Sequence, residues 1–90
     1  MTTDKHDPGG HRRARRAHTR AAERHEQAAG LHERAANLQE EHAVEMREKG
    51  HEEQVDRAER LADHERELAA KEHAKADEER EHAAEEELKF

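Results

Sequence analysis

From His11 to Phe90 the chain has no proline and only two glycines, Gly30 and Gly50. Ala, Glu, Arg, Leu and Lys make up most of that span. All five are strong helix formers, so the local preference is helix nearly throughout. Glycine is the usual left-handed residue just past a helix end, and Gly50 stands near the middle of the 90 residues. The larger apolar side chains are mirrored about it. Leu31 with Leu68, Leu38 with Leu61, and Val44 with Val55 are each equidistant from the Lys49–Gly50 bond. A reversal there brings the members of each pair to one level. The pattern predicts an all-α, antiparallel two-helix hairpin of coiled-coil type, with Gly50 as the turn.

Local signals set the expected boundaries. Asp7, Pro8, Gly9 and Gly10 form a breaker cluster, so residues 1–10 are expected to be a disordered tail. The hairpin then occupies residues 11–90, with a helix over about 11–48, a turn at 49–51 and a helix over about 52–87. Arg47 and Lys49 suit the negative end of the first helix dipole, and Glu52 and Glu53 the positive start of the second. At about 100° per residue, Ala14, Ala17, Ala21, Ala28, Leu31, Ala35, Leu38 and Met46 share a stripe. Val55, Ala58, Leu61, Ala62, Leu68, Ala69, Ala76 and Ala83 form the facing one, interrupted by Glu65 and Glu72. The interaction seam is accordingly assigned to Leu31, Leu38, Leu61 and Leu68, with Val55 and Met46.

Charge supports the fold-back from independent residues. Residues 1–25 carry a net +4 and residues 76–90 a net −5, counting Lys and Arg against Asp and Glu. Reversal at Gly50 sets Arg12, Arg13, Arg15, Arg16, Arg20 and Arg24 alongside Asp77, Glu78, Glu79, Glu81 and Glu85 to Glu87. Exposed pairs of this kind contribute little stability but select orientation.

The apolar content is thin, because Ala accounts for 17 residues and Phe90 is the single aromatic. Burying one Leu contributes roughly 1.5–3 kcal/mol, and a scaffold of this size commonly needs a staple or a partner. A homo-oligomer, most simply a dimeric four-helix bundle, or a partner helix is therefore expected. Cysteine is absent, which excludes disulfides and thiolate metal sites. With no apolar run long enough for a leader or a membrane span, the expected location is cytoplasmic.

The ten histidines are the chemically suggestive feature. His11, His18, His25 and His32 are seven residues apart, about 10.5 Å along a helix. That is too far for neighbours to share a zinc at about 2.1 Å per ligand. No two histidines have the i,i+3 or i,i+4 spacing of a single-helix site. Across the mirror His18 meets His82, His25 meets His73 and His32 meets His64, but the latter three are nine apart, about half a turn out of phase. His25 and His73 remain as the metal candidates, with His64 and His82 expected to face water. Glu48–His51 and Glu79–His82 have Glu-x-x-His spacing, which a chain with 19 Glu shows this often by chance. Loose surface chelation of Zn, Ni or Cu is the alternative reading. Protonating every His would move the formal charge from −7 to +3, so helicity or oligomer state is expected to respond between about pH 7 and 5.

Several activities lack their residues. There is no Gly-rich phosphate loop, no nucleophile with a base, and too little core to wall off a dry pocket, so the chain is not expected to be an enzyme. The arginines of residues 12–24 lack aromatic interleaving, and their helix face offers only Ala for apolar insertion. Nucleic acid and membranes are not expected partners.

The stretch from Glu23 to Lys75 contains His25-Glu-Gln-Ala-Ala, His32-Glu-Arg-Ala-Ala and the central Lys49-Gly50-His51. It resembles short Ala/His/Glu-rich bacterial proteins that read as helical hairpins around a central Gly. Those proteins have no assigned activity and often double their histidines, whereas here they are single. The resemblance implies the hairpin fold. The acidic, Ala-rich second half, as in Ala70-Lys-Glu-His-Ala-Lys-Ala-Asp, also looks like stress protectants of the late-embryogenesis-abundant type, which implies a disordered chain. The matched leucines favour the hairpin. The function expected is that of a non-enzymatic structural or interaction protein, with metal buffering and stress protection as the alternatives.

Overall fold

Gly50 reverses the chain. In the computed structural model, which describes residues 8–88, Gly50 has φ of 76°, the left-handed region that a side chain disfavours. Its amide donates to the Arg47 carbonyl at 3.1 Å, and the His51 amide donates to the Met46 carbonyl at 2.8 Å. These two bonds are the Schellman pair that closes a helix C-terminus. The Val55 amide then donates to the His51 carbonyl at 3.0 Å, which starts the next helix at once. Glu52 and Glu53 occupy its first turn, where negative charge suits the dipole.

Helix α1 spans Pro8–Glu48 and helix α2 spans Glu52–Leu88. The pair is an antiparallel all-α hairpin. Three residues assigned to the expected tail are helix instead, because Pro8, Gly9 and Gly10 belong to α1. Proline's fixed φ and missing amide suit the first turn of a helix, so Pro8 starts α1 where a break was expected. Residues 1–7 of that expected tail lie outside the described residues.

The seam between the helices is made of alanine. Ala22, Ala29, Ala36 and Ala43 of α1 are buried, as are Val55, Ala58, Ala62, Ala69 and Ala76 of α2. Val55 is 2 % exposed and joins Ala43 and Ala58, with Met46 packed against them, above the turn. The leucines are not between the helices. Leu31 is 62 % exposed, Leu38 65 % and Leu61 44 %, and Leu68 is half-buried. Val44, the expected counterpart of Val55, is also exposed.

The reason for this correction is steric. Alanine recurs every seven residues at four levels of α1, and α2 answers with Val55, Ala62, Ala69 and Ala76. The four mirrored leucines cover only two levels in each helix. Turning the leucines inward would spread the axes at those levels and leave voids at the rest, which a close-packed interior does not tolerate. Alanine lets the helices approach along their whole length. The Cα trace measures 75 × 14 × 13 Å, a rod with no interior beyond this seam.

The two internal glycines predict opposite effects. Gly50→Ala places a Cβ at positive φ and is expected to cost about 1 kcal/mol. Gly30 lies inside α1, and a Cβ there would meet only the Arg34 guanidinium at 3.5 Å, an ordinary contact. Gly30→Ala is expected to gain about 0.5–1 kcal/mol. Urea denaturation followed by circular dichroism reads both, with the midpoints moving in opposite directions.

Candidate functional site

The alanine heptads carry a second series three residues further on. In α1 that position is held by His11, His18, His25 and His32, and in α2 by Glu65, Glu72, Glu79 and Glu86. Antiparallel pairing sets each imidazole opposite one carboxylate. The Nδ1 of His11 lies 2.6 Å from Glu86, His18 3.1 Å from Glu79, His25 2.7 Å from Glu72 and His32 3.0 Å from Glu65. An ionised carboxylate only accepts, so each Nδ1–H is the donor. The rungs sit at the edge of the alanine seam with both partners half-buried. A carboxylate withdrawn from water is costly unless hydrogen-bonded, and the histidines meet that requirement. Glu65 and Glu72 therefore belong to the seam they were expected to interrupt.

The hairpin has two unlike flanks. On one, Arg47 donates to Glu59 at 3.1 Å, Arg66 pairs with Glu40, and Arg80 donates to Glu26 at 3.1 Å. His73 completes this ladder, with Nδ1 2.6 Å from Glu26 and Nε2 3.3 Å from Glu33. Val44 lies on this flank too, beside Glu40, Arg47, Glu59 and Arg66. On the other flank, helical register aligns Ala21, Ala28 and Ala35, bordered by Leu31 and Leu38, with Leu61 and Leu68 of α2. A shallow groove lined by Gln39, His42, Gln54, Arg57 and Leu61 marks the turn end of this apolar side.

The expected rung between His25 and His73 does not form. His25 is taken by Glu72, and His73 lies on the charged flank with Glu26 and Glu33. The pair that meets is His18 and His82, with ring centroids 5.1 Å apart and planes at 73°. Nine residues do place His73 and His82 on opposite sides of the seam. Centring the stripe on the leucines selected the wrong one of the two. His82 remains partly exposed, as expected for it. Of the terminal charge blocks, Arg15 reaches Glu87 at 3.5 Å, while much of the facing between helix ends falls to His11 and His18. The signal for the rungs was present as Glu at 65, 72, 79 and 86, seven apart and in step with the histidines.

No protein-family model, curated protein or solved structure matches this chain. Among the described residues, no helix is long and apolar enough to cross a membrane.

The ladder imposes a pH dependence. Hydrogen bonds from His73 and then Arg80 lower the Glu26 carboxyl below its ordinary 4.5, and the bond from His25 lowers Glu72. Bonds to Glu26 and then Glu33 raise His73 above 6.5. The raised His contributes stability that is full below about pH 6.5 and fades as pH climbs through its folded value. The lowered carboxylates contribute above about pH 4.5 and fade as pH falls through theirs. Both contributions coexist between those limits. At fixed dilute concentration, the thermal midpoint by circular dichroism is expected to peak between about pH 4.5 and 6.5. His73→Gln should flatten the alkaline limb and also weaken the acid limb, because the lowering of Glu26 rests first on His73, leaving mainly the part carried by Glu72 with His25.

Proposed function

We propose that the protein is a non-enzymatic assembly module whose apolar flank pairs with the same flank of a second copy, giving a dimeric four-helix bundle. The observation that carries this reading is the outward position of the leucines. Leu31, Leu38 and Leu61 are exposed while the seam is filled by alanine. Scattered exposed leucines are ordinary, but here they adjoin an alanine stripe on one flank, and the opposite flank is occupied by ion pairs. Fully burying a Leu contributes roughly 1.5–3 kcal/mol, and four from each copy offer more than the alanine seam leaves available elsewhere.

Charge at the edges of the strip favours a second copy as the occupant. Along the α1 edge Arg24 lies toward the open end of the hairpin and Glu45 toward the turn. Along the α2 edge the order is reversed, with Glu78 and Glu85 toward the open end and Arg57 toward the turn. A two-fold axis along the rod sets α1 of one copy against α2 of the other and brings Glu45 toward Arg57, while Arg24 falls between Lys71 and Glu78 of that edge. Like charges would face each other if α1 met α1 in parallel. The resemblance to Ala/His/Glu-rich hairpin proteins is compatible with this reading and carries no activity to transfer.

Sedimentation equilibrium at high micromolar concentration is expected to give about twice the 10.4 kDa chain mass. Replacing Leu31, Leu38, Leu61 and Leu68 together by Gln, itself a good helix former, should yield a monomer of undiminished helicity at low temperature. A wild-type chain that stays monomeric, or a variant that still dimerises, would show that this flank is not a self-association surface.

A further inference from the structure

One rung of the seam differs from the other three. Three residues after Glu65, Glu72 and Glu86 the sequence has Leu68, Lys75 and Lys89, but three after Glu79 it has His82. On a helix, i and i+3 share a face, so His82 stands beside Glu79 and leans toward α1. There it meets His18, whose Nδ1 is 3.1 Å from one Glu79 oxygen and 3.2 Å from the other. His82 Nδ1 lies 4.0 Å from the nearer of these oxygens. One donor atom from each of the three side chains falls within 4.8 Å of the others.

We propose that His18, Glu79 and His82 form a three-ligand site for a borderline divalent cation, with Zn2+ as its representative, that clamps the open end of the hairpin. Two imidazoles and a carboxylate suit zinc, at about 2.0–2.2 Å from each donor. Tetrahedral placement at those lengths needs donors roughly 3.4 Å apart, which small side-chain rotations reach from the observed spacing. The ion takes the place of the proton between His18 and Glu79, and a neutral His18 bonded through that nitrogen carries its proton on Nε2 instead. Half exposure of His82 leaves an approach from solvent and a fourth position for water. A hard ion gains little from two nitrogen donors, so Ca2+ and Mg2+ bind less well. Lys75 beside Glu72 repels a cation and Leu68 beside Glu65 cannot ligate, which sets this rung apart from those two. The ligands come from both helices, so the ion stabilises the hairpin near its open end, far from the turn.

The site is built within one chain and does not rest on self-association. Calorimetric titration of the EDTA-treated full chain with ZnCl2 at about pH 7.4 tests it, since zinc needs a free lone pair on each imidazole. One saturable site per chain is expected, with Ca2+ giving no comparable heat. His82→Ala should weaken zinc binding at least about tenfold, and His42→Ala, which alters an exposed His elsewhere, should leave it unchanged. In imidazole NMR spectra, His18 and His82 should respond at the first equivalent of zinc, before the other histidines. The four-leucine Gln variant should retain the site. Absence of saturable binding, equal affinity in His82→Ala with its helicity intact, or simultaneous shifts of all the histidines would overturn the assignment. If His82→Ala loses helicity, His82→Gln replaces it and the same comparison decides.

Discussion

The alternation of alanine with histidine–glutamate rungs governs the rest of the molecule. A two-helix rod has one contact line, and whatever occupies it sets both the distance between the axes and the rotation of each helix. Alanine at successive heptads in both helices draws the backbones together. The intervening levels are then too narrow for two large apolar groups, and half open to water. A His and a Glu fill such a level, because each has an apolar stem and a polar end that satisfies the other. Each rung also specifies register. A slip of one residue along either helix separates every imidazole from its carboxylate and breaks the alanine levels at the same time.

The outer surface follows from this contact line. Once the alanines are turned inward, the leucines lie along one flank and the Glu26–Arg80, Glu33–His73 and Glu40–Arg66 contacts lie along the other. The asymmetry is the basis of the self-association proposed above. Polar rungs line the contact between the two helices, and apolar area is left on the flank opposite the ion pairs. Small residues inside and larger ones outside invert the usual globular order, and a rod of this cross-section has no second layer to cover them.

Much of this was legible in the residues. The absence of breakers, the position of Gly50, the acidic start of α2 and the charge blocks at the two ends all indicate a hairpin, and the helices begin and end near the places those signals mark. Apolar size is a poor guide to burial in this seam. Leu31 and Leu38 are the largest apolar residues of α1 away from its ends, yet the unbroken series is Ala22, Ala29, Ala36 and Ala43. The two stripes lie about one helical position apart, enough to exchange inside for outside. A stripe centred on the leucines makes Glu65 and Glu72 interruptions, whereas each completes a contact across the seam. Pro8 was read as a stop, although at the first position of a helix it is a start.

The sequence by itself determined the helical state, the place of reversal and the antiparallel match of charge. These depend on local backbone preference and on position along the chain. Tertiary structure alone decided the rotation of each helix about its axis, and with it the pairing of His18 with Glu79 and His82 and the exposure of the leucines. Rotation is not set by either helix alone. It is the one choice that packs small residues at every level of both helices and gives each carboxylate in the seam a donor.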